Sequence, residues 1–455
     1  MPQDTLTVTI EKLVQGGWGL ARREGKVLLV RGAIPGETVA VTNGAQHKGF
    51  QEATVSEVLV ASPDRVAPPC PVYEVCGGCQ FQHIRYEAQL LQKGAILKET
   101  LSRVGRLVQD TMPAVIPSPD PYGYRSVIRF VVFRDRAGFA LGFHRQGTHQ
   151  PVAAACCLLV PEPTRAIVAA LGERLAKRAK LPLGLESVEI RRSVSFGSAL
   201  LLYRTGPAKR EQADTLFEQF QGIPDVVGQV LTAGGEGKRP KGRGKAGAIG
   251  RTEGRARAGQ RWQRWVDGQD WIADRLGDLI FRISDRSFMQ ANWPLNGTLS
   301  RTVSDWVAPA AGVRVLELYA GIGTLGLPLA RAGALVTEVE ANPYALADAR
   351  HTAKANHVGR SRFRPLRAEA MLQATQPQGY DVVIVAAPRT GLSRECLQEL
   401  LRIQVARILY LSCDPATLAR DLSRLCDAGY RIARLQPFDL FPQTSHLETL
   451  VELVR

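Results

Sequence analysis

The spacing of apolar residues changes period along the chain. From about Leu6 to Val60 it is close to two: Leu6-Thr7-Val8-Thr9-Ile10, Lys26-Val27-Leu28-Leu29-Val30, Thr38-Val39-Ala40-Val41 and Ala53-Thr54-Val55-Ser56-Glu57-Val58, separated by turns at Gly16-Gly17-Trp18-Gly19, Gly25 and Pro35-Gly36. Short strands at such spacing predict a small β-barrel, OB-like in type. From Tyr86 to Leu107 the apolar positions recur at helical spacing (Leu90-Leu91, Ile96-Leu97, Leu101). Tyr124 to His144 alternates again, Leu158 to Arg178 reads as an amphipathic helix, and Ser187–Ile190 and Ala199–Tyr203 read as strands. This middle stretch predicts an α+β module.

From about Asp285 onward, strand and helix alternate. Val313–Leu318, Leu335–Glu340, Tyr380–Val385, Arg407–Leu411 and Thr449–Val454 are strand-like, with helical stretches at Leu325–Arg331, Tyr344–Asn356 and Thr417–Leu422. That order predicts a doubly wound parallel sheet, a Rossmann-like α/β domain. The expected organisation is multidomain: a β-barrel over 1–62, a central α+β domain over 63–284, and an α/β domain over 285–455.

Composition narrows the partner. The chain has 455 residues, is 45% hydrophobic and carries a net charge of +15, with a pI near 9.7. A balance this basic points to a polyanion, nucleic acid first. Nearly half of the net charge sits in residues 234–261, which are Gly-rich and carry Lys238, Arg239, Lys241, Arg243, Lys245, Arg251, Arg255, Arg257 and Arg261. A stretch without large apolar residues cannot form a core, so a disordered basic loop is expected there. It is either a phosphate-binding tether or an insertion tolerated at the surface. No apolar run is long enough to span a membrane, and the first residues lack the basic-then-apolar order of a secretory signal. A cytoplasmic location follows as an expectation.

Eight cysteines in a long chain of this kind suggest metal binding or catalysis rather than disulfides. Cys70, Cys76 and Cys79 lie within ten positions, with Gly77-Gly78 inside the C-x-x-C pair. Glycines let the backbone fold tightly enough for several thiolates to face one centre. A fourth thiolate is available from Cys156-Cys157. Four thiolates suit zinc or an iron–sulfur cluster, and the spacing differs from paired zinc-ribbon knuckles.

In the last third, Gly321 and Gly323 follow the strand Val313–Leu318, and Glu340 ends the next strand. Such glycines let a ligand approach the backbone, and such an acid accepts hydrogen bonds from a ribose. The G-x-G lacks the third glycine that a pyrophosphate needs, which suits S-adenosylmethionine. Glu317 is expected near the methionine ammonium. Cys413 follows the apolar run Ile408–Leu411 and precedes Asp414-Pro415. A thiol at the carboxyl end of a strand is placed for chemistry, although a small buried packing residue is the alternative.

Four segments occur in order: Ser287-Phe288-Met289-Gln290-Ala291-Asn292, Leu316-Glu317-Leu318-Tyr319-Ala320-Gly321-Ile322-Gly323-Thr324, Ser412-Cys413-Asp414-Pro415-Ala416-Thr417-Leu418-Ala419-Arg420-Asp421 and Phe441-Pro442-Gln443-Thr444-Ser445-His446-Leu447-Glu448. Together they resemble the S-adenosylmethionine-dependent RNA 5-methyluridine methyltransferases. Gly17-Trp18-Gly19-Leu20-Ala21-Arg22, Gly25-Lys26 and Pro35-Gly36-Glu37 resemble a TRAM domain, an RNA-binding barrel. With the Cys70/Cys76/Cys79 run, the chain is most similar to the bacterial branch acting on 23S rRNA. The resemblance implies Cys413 as nucleophile and Glu448 as general base. It also implies Gln290, Tyr319 and Glu340 as cofactor contacts, and Cys70, Cys76, Cys79 and Cys156 as ligands of a [4Fe–4S] cluster. A monomer is expected. One departure stands out: where the family has Asp-Pro-Pro-Arg, this chain reads Ala386-Ala387-Pro388-Arg389. The alternatives are therefore the same chemistry on tRNA or another rRNA position, or an RNA-binding protein with impaired catalysis.

Overall fold

The structure is a computed structural model that describes residues 6–108, 111–136, 138–178, 182–234 and 262–455. The expected basic loop, from residue 235 to 261, lies outside the described residues. Two compact units emerge. One comprises Met1–Tyr73, Cys79–Tyr122 and Pro294–Arg455; the other comprises Glu74–Gly78 and Gly123–Trp293.

The first unit begins with a six-stranded sheet: β1 (Leu6–Thr9), β2 (Lys12–Val14), β3 (Trp18–Arg23), β4 (Lys26–Arg31), β5 (Thr38–Gln46) and β6 (Phe50–Val60). Its spatial order is β1-β5-β6-β4-β3-β2. The two end strands are separated in sequence only by Ile10-Glu11, and Glu11 donates its N–H to Leu20 O, so the sheet curls into a barrel. Val8, Ile10, Ala21, Leu28, Val30, Val39 and Val41 fill it. These are the inward positions of the period-two pattern.

The helix α1 (Tyr86–Gly105) belongs to this same unit. Its apolar face, Leu97 and Leu101, is buried in one core with the C-terminal sheet residues Leu316, Val383, Ile408 and Val451. The periodicity of α1 foretells a buried face but not which sheet it covers.

The second unit centres on a seven-stranded mixed sheet formed by β7 (Val127–Arg134), β8 (Phe139–His144), β9 (Pro151–Ala153), β10 (Leu185–Arg192), β11 (Ala199–Thr205), β12 (Val226–Ala233) and β13 (Gln263–Gly268). Helices α2 (Glu162–Ala176) and α3 (Arg210–Phe220) cover one face through Ile167, Leu171, Leu216 and Phe217. A hairpin of β14 (Trp271–Leu276) and β15 (Leu279–Ser284) follows.

The C-terminal part of the first unit contains α4 (Trp293–Val307), β16 (Arg314–Leu318), α5 (Gly326–Arg331), β17 (Leu335–Val339), α6 (Pro343–Ala355), β18 (Ser361–Arg364), α7 (Ala368–Gln373), β19 (Val382–Ala386), α8 (Arg394–Arg402), β20 (Arg407–Ser412), α9 (Pro415–Asp427), β21 (Arg431–Phe438) and β22 (Glu448–Val454). The sheet order is β18-β17-β16-β19-β20-β22-β21. It is not wholly parallel, as expected from the alternation. The strand β22 inserts antiparallel between β20 and β21. No helix links β21 to β22, and two strands joined by a short return can pair antiparallel, whereas parallel neighbours need a crossover. The edge strands β18 (Ser-Arg-Phe-Arg) and β21 were not foreseen. Their exposed arginines break the continuous apolar run of a buried strand. Among the described residues no helix is long and apolar enough to cross a membrane.

Candidate active site

The order of the C-terminal sheet reverses direction beside β16, and the carboxyl ends of β16, β17, β19 and β20 open on the same edge, where ligands bind in open α/β sheets. Cys413 is the first residue past β20, half-buried, immediately before α9. Asp414 caps that helix, accepting from the Thr417 N–H at 2.9 Å, and Pro415 occupies the first helical position. The cap stops the strand abruptly and leaves the Cys413 side chain at the turn.

Arg389 follows β19 on the neighbouring turn, and its charge acts on the Cys413 thiol, favouring the thiolate. The turn is fixed by α9 itself. Thr417 Oγ1 donates to Arg389 O at 3.2 Å, and Arg420 Nη2 donates to Thr390 O at 3.1 Å. Buried Asp421 accepts from the Leu392 N–H at 2.8 Å and from the Tyr410 hydroxyl at 2.7 Å. Gly391 has φ +69°, and a Cβ there would press on Arg420, Asp421 and Thr417, so the close approach of turn and helix requires glycine.

Glu448 starts β22, is buried, and acts electrostatically on both Cys413 and Arg389. Burial pushes its carboxyl up to about 8, with Arg389 pulling the other way. Burial also pushes the Cys413 thiol up to about 12, and the Glu448 charge adds to this, while Arg389 favours the thiolate. The structure thus brings together Cys413 and Glu448, 35 positions apart in sequence, around one cation. Arg389 was visible in the sequence only as the last residue of an altered motif.

At the neighbouring strand ends, Glu340 accepts from the Gly321 N–H at 3.0 Å and from the Asn342 N–H at 2.7 Å. Gly321 has φ +59° with open space where a Cβ would point, and Tyr319 before it also adopts a positive φ of 62°. A cavity of about 400 Å³ adjoins this turn, lined by Tyr319, Ala341, Leu366, Arg367, Glu369 and Pro388 among others. A pocket of mixed polar and apolar lining beside a carboxylate and an open glycine turn fits a nucleoside-bearing cofactor.

Glu317 does not reach this pocket. It lies inside β16, paired in register with Glu338 of β17, and both are buried against Gly326 and Gly323. Burial and mutual proximity raise Glu317 far above the carboxylate range, and burial takes Glu338 to about 8. Gln290 lies in the second unit, half-buried after Met289. Its segment is held there by Arg191, whose guanidinium donates to Ser284 O at 2.8 Å and to Ser287 O at 2.6 Å.

Ala386 is the last residue of β19, paired with Leu411, and brings no acid to the site. Asp381 cannot replace one: it is half-exposed at the start of β19, bound to Arg314 at 2.7 Å.

Cys70, Cys76 and Cys79 are half-buried and Cys156 is exposed. Cys79 and Cys70 both lie near Tyr122, whose hydroxyl is raised to about 12 by burial first and then by these thiols. Even so, no group of three or more His, Cys, Asp or Glu side chains among the described residues is arranged to hold a metal ion.

Residues 248–455 match the family model of tRNA (uracil-5-)-methyltransferases. An uncharacterized RNA methyltransferase of Aquifex aeolicus is 32% identical over 453 residues, covering 100% of this chain and 99% of its own. The chain belongs to the RNA (uracil-5-) methyltransferase family. A further RNA methyltransferase of this kind, from Gloeobacter violaceus, is 33% identical across 99% of this chain and 96% of its own. Among solved structures, the tRNA (uracil-54, C5)-methyltransferase of Pyrococcus abyssi, in complex with S-adenosyl-L-homocysteine, has a TM-score of 0.74 at 25% identity, covering 98% of this chain and 99% of that one. In this methyltransferase, then, the Cys413–Arg389–Glu448 group and the cavity beside Glu340 lie at the strand ends of a domain shared with relatives along their full length.

Proposed function

We propose that this methyltransferase transfers a methyl group to C5 of a uridine in 23S rRNA, using S-adenosylmethionine, through a covalent bond from Cys413 to C6. The observation that carries the reading is that Cys413 and buried Glu448 at neighbouring strand ends act electrostatically on each other and both feel the charge of Arg389. Uracil C5 is too weak a nucleophile to react unaided. Addition of the Cys413 thiolate to C6 converts the ring into an enolate and makes C5 nucleophilic. Arg389 offsets the burial that would otherwise keep the thiol protonated. When bound, S-adenosylmethionine would supply the electrophilic methyl, with Glu340 and Tyr319 placed to hold it. Glu448 then takes the C5 proton; the electrons of that C–H bond restore the C5–C6 double bond and the thiolate leaves. A carboxyl raised to about 8 is a base matched to a proton taken near neutral pH.

The N-terminal barrel, read as a TRAM domain, would hold RNA beside this site, and Gln15 after β2 donates to Asp414, the cap next to Cys413, at 3.1 Å. The rRNA target rests on the barrel and cysteine motifs. The likeness to the Pyrococcus abyssi enzyme favours a tRNA target instead. Incubation with labelled S-adenosylmethionine and total RNA from a strain lacking the gene, followed by mapping of the label, decides between them. Label at a 23S uridine supports the proposal, and label in tRNA replaces it with the second reading. Intact RNA binding without any transfer overturns both.

A further inference from the structure

The hairpin between β10 and β11 shows two large apolar side chains to solvent: Val194 is 47% exposed and Phe196 is 49% exposed. Its backbone is nevertheless tightly held. Buried Asp274 of β14 accepts from the Val194 N–H at 2.7 Å and from the Ser195 N–H at 3.0 Å. Ser193 Oγ accepts from the Phe196 N–H at 3.0 Å, and the Ser193 N–H donates to Ser198 O at 2.8 Å. Arg275, next to Asp274, sets its guanidinium 6.0 Å from the centre of the Phe196 ring and forms no ion pair among the described residues. With its backbone so held, the turn presents Val194 and Phe196 together to solvent beside a cation, and exposed apolar side chains rimmed by polar groups suit a contact surface.

We infer that Phe196 and Arg275 form a stacking platform for an unpaired base of the RNA substrate, apart from the residues that carry out methyl transfer. The inference rests on the RNA-modifying reading of the active site. A ring half in water offers its face to a base, and a cation without a carboxylate partner is free to take the adjoining phosphate. Asp274, the acid that accepts from this turn's backbone, is buried, so its charge does not face a phosphate at Arg275, and a nucleotide offers both the flat base and the phosphate that this ring and cation would take.

The test uses the full-length protein and a fluorescein-labelled RNA oligonucleotide, single-stranded and as the duplex of the same sequence. Phe196→Ala should weaken single-strand binding roughly ten-fold, as loss of one stacked base does, and Phe196→Trp should restore it. Arg275→Ala should weaken binding and lower the salt dependence by about one phosphate contact. Melting temperatures should not move for these exposed side chains. In methyl transfer, Phe196→Ala should raise KM for RNA and leave KM for S-adenosylmethionine alone. Unchanged single-strand affinity in Phe196→Ala overturns the inference, as does a wild-type dimer that this substitution dissolves. If the wild type transfers no methyl group but its single-strand binding depends on Phe196, the proposed reaction fails and the platform stands.

Discussion

Lys93 of α1 and Asp439, just past β21, form an ion pair at 2.6 Å with both side chains buried. Lys93 Nζ also donates to Phe441 O at 3.1 Å, and four positions earlier on α1 Gln89 donates to Gln443 Oε1 at 2.9 Å. Gln443 has φ +67°, a conformation that costs a side-chain-bearing residue energy and persists only when its surroundings impose it. Thus α1 shapes the segment that leads into Glu448. Removing one partner of a buried pair strands the other charge. Lys93→Met should therefore destabilise the protein by about 3–5 kcal/mol, read by denaturant unfolding, whereas Lys93→Met with Asp439→Leu should recover much of that loss. A single variant as stable as wild type would contradict the pairing.

The Glu448 carboxyl gives a pH dependence with a definite sign. Its folded-state value of about 8 lies above the ordinary 4.5, so the folded protein holds a proton that the unfolded chain releases earlier. This contribution to stability is complete below about 4.5 and is lost as pH rises to about 8. Glu448→Gln should remove that slope, leaving the variant relatively more stable at alkaline pH. Catalysis runs the other way: kcat should rise with pH through about 8 as the base ionises.

With Glu448→Gln the C5 proton stays in place and the thiolate cannot leave. A protein–RNA adduct carrying the methyl group should accumulate and survive denaturing electrophoresis, while Cys413→Ala should form none. An adduct in the Cys413→Ala variant would assign the nucleophile elsewhere.

Arg389 is asked to favour a thiolate against burial. Arg389→Leu should lower kcat by roughly 10²–10³-fold, the usual loss when one donor to a developing anion is removed. Alkylation of Cys413 by iodoacetamide should slow in parallel, a readout that mere loosening of the turn would speed up. Lysine should rescue poorly, because it lacks the planar fork of donors.

Glu340 gathers two backbone N–H groups from turns on either side of the pocket. Glu340→Ala leaves both without their acceptor, and each such buried donor costs about 1–3 kcal/mol. S-adenosylmethionine affinity, measured by calorimetry, should fall at least ten-fold, while RNA affinity should change little.

Much of this was legible from residue pattern. The period-two run of the barrel, the strand-to-turn glycines at Gly321 and Gly323, and the Cys413-Asp414-Pro415 turn are local: each follows from which neighbours can share one backbone geometry. The burial of Glu317 could not be read from the chain, because strand position alone does not say which face a side chain takes. In register with Glu338 it points under α5, away from the pocket. The edge strands β18 and β21 escaped notice because half-exposed strands carry arginine as readily as loops do.

The amino-acid order by itself determined the three folding patterns, the turn that carries Cys413 and the acid at the tip of β17, because caps, turns and periodicity act over a few residues. Only the tertiary structure decided that α1 packs on α9 and shares the core of the C-terminal sheet, that β22 runs antiparallel and delivers Glu448, and that the Arg389 charge acts on Cys413. Those are contacts between residues far apart in the chain. Burial creates them, and burial also sets the charge on Glu448 and on the Cys413 thiol, which no residue carries in its name.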